Sequence, residues 1–176
     1  KALNITSAGN IKFPSGQGID FSSTSDGSTM SSELLDDYEE GSFTPSTYAD
    51  SGNFALASSY NTLYYTKVGR VVHIYGYLYT DSTNSPSGTV MLGNLPFTSE
   101  SSVTNYSTID IKVWGISADP TTGRSNSSQV FARINPNTSL IAIYDTTATS
   151  LAATSGNWLN IDGSTDFIVS GTYMAA

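Results

Sequence analysis

The carboxylates Asp36, Asp37, Glu39 and Glu40 are a dense run of ionisable side chains. Two carboxyl groups about 5–9.5 Å apart could cleave a glycosidic bond, one as acid and one as base or nucleophile. Crowded onto one short segment, however, these four read as a solvated face. Asp119, Asp145, Asp162 and Asp166 lie in or beside expected loops, and nothing in their spacing makes two of them meet. His73 is the single histidine. A catalytic triad would need it beside a nucleophilic serine, but it falls in a strand with no Gly-x-Ser-x-Gly elbow near. It reads as a packed or interface residue. No glycine-rich phosphate loop with a lysine is present. The sequence therefore specifies no catalytic residue, no metal ligand set and no cofactor.

Recognition chemistry is better represented. Trp114 falls in a strand, and Trp158 falls in a loop beside Gly156, Asn157 and Asn160. An indole facing a groove can carry a sugar ring while polar neighbours orient its hydroxyls. Trp114 reads rather as packing in a core or an interface. Asn-x-Ser/Thr triplets stand at Asn4, Asn105, Asn126 and Asn137. In a chain so rich in Asn, Ser and Thr, chance accounts for them.

The element that must position the rest is Tyr64–Thr80, which reads as a β-hairpin turning at Lys67-Val68-Gly69-Arg70. Gly69 supplies the positive φ that such a turn needs. Along the second strand Val72, Ile74, Gly76 and Leu78 take one face, and Val71, His73, Tyr75, Tyr77 and Tyr79 take the other. The first face fits a core. The second is apolar in body and polar at the tip, and suits burial against another chain or against a second sheet of this chain.

Composition sets wider bounds. The 176 residues suffice for one domain with a real core. Only 12% are charged and the net charge is −8, so a basic nucleic-acid footprint is absent. Without cysteine there is neither a disulfide framework nor a thiolate metal site. No apolar run approaches the ~20 residues of a membrane span, and no signal peptide is visible. The chain begins at Lys1, as a fragment or a processed product would. Eleven tyrosines among abundant Ser, Thr, Asn and Gly suit an adhesive extracellular surface.

Residues 1 to about 29 hold two short alternating pieces, Ile11-Lys12-Phe13 and Gly18-Ile19-Asp20-Phe21, which cannot close a core alone. They read either as a flexible linker or as pieces wound with other copies about one axis. A short helix is expected at about 31–40, with Ser31 as cap, Leu34, Leu35 and Tyr38 as an apolar stripe, and Gly41 as its end. Strands are expected at about 42–48, 61–67, 71–80, 89–92, 106–114, 128–134, 139–145 and 165–174. Eight short strands without a further helix indicate an all-β antiparallel sandwich or jelly roll at 42–176, preceded by a stem or neck at 1–41.

Several stretches resemble a known family. They are Gly16–Gly27 (G-x-G-I-D-F-S-x-T-S-D-G), Ser32–Pro45 (S-E-L-L-D-D-Y-E-E-G-x-F-T-P), Tyr65–Val72 (Y-T-K-V-G-R-V-V) and Leu95–Ser99 (L-P-F-T-S). In this order they are similar to the C-terminal part of bacteriophage tail-fibre and virion-appendage proteins, and to tips of bacterial surface-fibre adhesins. The resemblance spans Gly16 to Ser99; beyond it only the strand rhythm matches. It implies a parallel homotrimer, a fibre stem entering an all-β head, and receptor binding on the virion or cell surface rather than catalysis. Ile19, Phe21, Leu34, Leu35, Tyr38, Tyr75 and Tyr77 would then face partner subunits. Converging acidic segments could hold a cation, although no ligand spacing specifies one.

If successive strands alternate in direction, loops 49–60, 81–88, 115–127 and 146–164 all fall at the end of the head away from the stem. The expected ligand-binding residues lie there: Trp158 as platform, Asp119 and Arg124 as polar anchors, with Asp50, Asn53, Phe54, Asn84, Asn126 and Asn157. A cell-surface glycan is the expected ligand. A polysaccharide depolymerase tip and a purely structural trimerisation cap are the alternatives.

Overall fold

The computed structural model describes residues 4–23, 34–87, 89–115, 130–145, 161 and 163–176. The regular elements among them are all strands, as the all-β expectation requires. Two small antiparallel pairs come first: β1 (Asn4–Ile5) with β2 (Ile11–Lys12), and β3 (Ile19–Asp20) with β4 (Leu34–Leu35). The other strands are β5 (Tyr38–Phe43), β6 (Ser46–Tyr48), β7 (Ser51–Leu56), β8 (Leu63–Val68), β9 (Val71–Ser87), β10 (Val90–Gly93), β11 (Ser107–Trp114), β12 (Val130–Ile134), β13 (Ile141–Asp145) and β14 (Asp166–Met174). They form one ten-stranded antiparallel sheet in the order β5-β8-β9-β14-β11-β12-β13-β10-β6, with β7 added to the far half of β9.

The sheet curls on itself. Its two outermost strands, β5 and β6, are consecutive in sequence and joined only by Thr44-Pro45. A single strand expected at 42–48 is thus split between opposite edges. Proline has no N–H to give to a ladder, so a strand naturally ends there. Pro45 is buried, and the Asn94 side-chain amide donates to the Thr44 carbonyl at 2.9 Å, fixing the crossing. A single sheet thereby encloses what the two layers of a sandwich would enclose. The enclosed core is aliphatic: Leu63, Val72, Ile74, Leu78, Val90, Leu92, Ile109, Ile111, Val113, Ile134, Ile141, Ile143 and Val169, with Phe54, Phe167 and Tyr173. Each of the longer strands contributes alternate residues, as pleating demands.

The expected helix is absent over 34–40, and residues 31–33 lie outside the described residues. Leu34–Leu35 pairs with Ile19–Asp20, and Tyr38–Phe43 pairs with Leu63–Val68. Local composition favours helix here, but cross-strand partners override so weak a preference. Glu39 accepts from the Tyr65 hydroxyl, Glu40 from the Tyr38 hydroxyl, and Asp37 pairs with the Lys67 ammonium, which also sits 5.2 Å from the Phe97 ring centroid. Gly41 does not end a helix. It sits mid-strand beneath the Tyr65 ring, where a Cβ would come within 2.6–2.7 Å of ring and hydroxyl atoms.

Candidate functional site

The sheet has two distinct ends. At one, the turn end, two chain reversals are tight, and the 94–106 connection packs beside them. Val68 pairs with Val71 across the two-residue turn Gly69-Arg70, with Gly69 at φ 56°. The Asn135–Thr138 turn is tied there by Ser99 N–H to the Thr138 carbonyl, 2.9 Å, and Asn137 N–H to the Glu100 carbonyl, 3.0 Å. The Arg70–Glu100 ion pair (3.1 Å) lies there as well. The hydrogen bond from Arg70, then that from Asn105, holds the Glu100 carboxyl below its usual range.

At the opposite end the long connections leave. The end of β11 meets the start of β14, with Trp114 opposite Asp166. Thr165 Oγ1 donates to the Gly115 carbonyl (3.2 Å), and Thr80 N–H to the Thr165 carbonyl (2.9 Å). The start of β12 and the end of β13 face each other as Val130 and Asp145. Connections 116–129 and 146–160 therefore start and finish on this one end. Strand β9 continues past it to Ser87, paired there with β7 alone. The Asp50 carboxylate accepts from Thr89 N–H at 2.7 Å and closes the base of this arm.

The structure brings Asn53 and Asn84 together as exposed cross-strand partners on the arm, near Asp50. Phe54 is different. It was expected in a ligand-contacting loop, but it is 3% exposed and packs on Phe167 with ring centroids 6.3 Å apart. Ser51–Leu56 and Asp81–Ser87 within these expected loops are strand, and strand parity turns Phe54 inward. Asp119, Arg124, Asn126, Asn157 and Trp158 lie outside the described residues. Trp114, which also suited a core, is half-exposed on the outer face.

The outer face of β8–β9–β14 carries the tyrosine array. Tyr64 and Tyr75 are directly opposed and stacked (5.7 Å, 26°), and His73 stacks on Tyr75 (5.8 Å, 21°). Tyr60 meets Tyr77 edge-on at 5.6 Å. Tyr77 donates to Asp166, and this hydrogen bond pushes the phenol up to about 12. Tyr75 and Tyr77 remain 46% and 40% exposed, so no second sheet among the described residues covers this face. Sequence reasoning missed a further outer cluster on β12 and β13. There Phe131 stacks on Tyr144 (5.0 Å, 17°), and the Arg133 guanidinium lies between Tyr144 and Tyr106. The signal was present as alternation in Phe131-Ala132-Arg133-Ile134, which sets Phe131 and Arg133 opposite the core residues. The small β1–β4 pairs expose Ile5, Ile11, Ile19, Leu34 and Leu35, and Phe13 and Phe21 just beyond them are exposed too. No helix among the described residues is long and apolar enough to cross a membrane.

These features define an all-β fold: a single curled antiparallel sheet with the tight turns Gly69-Arg70 and Asn135–Thr138 at one end, and connections 116–129 and 146–160 leaving from the other. No family model matches the chain, and no curated protein matches its sequence. In fold it is similar to the crystal structure of the Dettilon tailspike protein, with a TM-score of 0.56 and 21% identity over 77% of this chain. The matched region spans 23% of the tailspike's own length. At that identity the likeness is one of fold.

Proposed function

We propose that this chain forms the receptor-binding tip of a trimeric phage tail fibre or spike, carried on the virion surface, which attaches to a cell-surface glycan without cleaving it. One observation carries the reading: the longest connections leave from a single end of a rigid sheet, the arrangement by which scaffolds present binding loops. Trp158, Asn157, Asp119, Arg124 and Asn126, with Asp50, Asn53 and Asn84 of the arm, supply the ligand contacts. Exposed apolar side chains on β1–β4 and the uncovered tyrosine face support a parallel homotrimer. In it Ile19, Phe21, Leu34, Leu35, Tyr38, Tyr75 and Tyr77 meet partner subunits. The fold shared with a tailspike supports the virion setting.

A glycan array run beside a reducing-sugar release assay on the same polysaccharides tests this. Binding without release is the expected result. Release abolished by changing one acidic residue to its amide would make the protein a depolymerase. A trimer that binds no glycan and no host cell would reduce it to a folding cap.

A further inference from the structure

Arg133 carries an inference beyond the tip loops. It stands on the outer face of β12, opposite Ala142 of β13 and Thr108 of β11. Its guanidinium carbon is 5.3 Å from the Tyr106 ring centroid and 4.9 Å from that of Tyr144, on diagonal positions to either side. Phe131, 42% exposed, extends the aromatic surface by stacking on Tyr144, and Tyr106 is 55% exposed. The two rings hold the guanidinium flat but neutralise nothing. The ion pairs among the described residues are Lys67–Asp37 and Arg70–Glu100, so Arg133 has no carboxylate partner there. Its buried Nε makes no hydrogen bond. Asp110, one outer position beyond Thr108, forms no ion pair with it. In a chain of net charge −8, a guanidinium held between aromatic rings and without an anion among the described residues is suited to one from outside.

We infer that Arg133, Tyr106, Phe131 and Tyr144 form a subsite for a carboxylate-bearing sugar, such as a uronic acid residue of the receptor glycan. The two terminal Nη groups of the guanidinium donate paired N–H bonds to the planar carboxylate. The exposed faces of Tyr106 and Phe131 pack against the apolar face of the pyranose ring. The subsite lies on the side of the head, below the end from which the long connections leave, since Val130 and Asp145 mark that end of the same two strands. The inference rests on the glycan-binding reading and names the chemical class of its ligand.

The test is an array of uronate- and sialate-containing glycans, each printed beside its carboxyl-reduced neutral counterpart and beside phosphorylated glycans. It is probed with the whole protein and with Arg133→Gln, Arg133→Lys and Tyr106→Ser. The expected result is preference for the carboxylated form. Arg133→Gln should lose about 10–100-fold in apparent Kd, as expected on losing a charge-assisted pair. Arg133→Lys should lose part of that, because it keeps the charge but not the fork. Tyr106→Ser, at an exposed position, guards against a folding defect at Arg133 and should weaken both forms, the carboxylated one more because Tyr106 also holds the guanidinium. Equal binding of carboxylated and reduced glycans, preference for phosphate, or unchanged binding by Arg133→Gln overturns the subsite while leaving glycan attachment standing. Failure of every glycan to bind overturns both.

Discussion

Gly76 lies at the centre of β9, between Tyr75 and Tyr77, and its backbone can be tested directly. Its φ is +150°, and a Cβ there would approach Leu63 Cδ2 to 2.8 Å and both Leu63 Cα and the Thr62 carbonyl to 3.3 Å. Gly76→Ala therefore meets two penalties. A non-glycine residue held in that region costs about 1–3 kcal/mol. Forcing a methyl into a packed core against fully buried Leu63 costs about 1–3 kcal/mol more. The sum, about 2–6 kcal/mol, corresponds to a fall in Tm of roughly 4–24 °C for a chain of this size. Gly69→Ala is the control. Its φ is +56°, but nothing lies within 4 Å of the added carbon, so only the backbone term of about 1–2 kcal/mol applies. Urea unfolding followed by circular dichroism, at one fixed protein concentration so that assembly does not confound the comparison, should show Gly76→Ala the weaker protein with an unchanged m value. An alanine at 76 that costs no more than the alanine at 69 would refute the packing described for the middle of β9.

Other perturbations have equally definite outcomes. Replacing both Leu34 and Leu35 by Asp should convert a trimer to monomers in light scattering without altering the circular dichroism of the ten-stranded sheet; a wild-type monomer at micromolar concentration would remove the trimer outright. Asp166→Ala takes away the acceptor that raises the Tyr77 phenol, so a spectrophotometric titration should show one tyrosine returning from about 12 toward 10. Because that phenol holds its proton more tightly when folded, its contribution to stability is complete below pH 10 and is lost between there and about 12. Glu100 behaves in the opposite sense: its lowered pKa gives a contribution present above its ordinary value of 4.5 and lost as pH falls below it, and Arg70→Gln should flatten that acid limb. Trp158→Ala should weaken host-cell binding with the fold intact; unchanged binding would exclude it as a platform.

Alternation made most of the sheet readable. Strands expected at 106–114, 139–145 and 165–174 are found at Ser107–Trp114, Ile141–Asp145 and Asp166–Met174. Each places β-branched or aromatic residues at every second position facing one core. The same logic sorted Val72, Ile74 and Leu78 inward and Tyr75 and Tyr77 outward. It failed where local chemistry and tertiary pairing disagree. Leu34 to Glu40 looks helical because its leucines and acids tolerate helix, while its strand partners, Ile19, Asp20 and Thr66 to Val68, are remote in sequence. Asp81 to Ser87 looks like a loop because it is small and polar, yet β7 completes it as a ladder; Phe54 and Leu56, two apart, were the remaining clue. The curl was not legible, since nothing local says that the strands either side of Pro45 belong to opposite edges. Arg133 went unnoticed because its importance lies in Tyr106 and Tyr144, which are neighbours only through cross-strand pairing.

The paired ends of the strands have an engineering consequence. Each long connection leaves from a closed frame: Val130 against Asp145 for one pair of ends, and Gly115 bonded to Thr165 for the other. The entropic cost of closing a loop across a frame already held shut grows only slowly with loop length, about 0.6 kcal/mol per doubling. Segments 116–129 and 146–160 can therefore be exchanged for foreign sequences of different length while the strands that anchor them keep register. Under the proposed binding role, such sockets would let one scaffold be retargeted by cassette replacement, the diversity confined to the inserts and the curled sheet inherited unchanged.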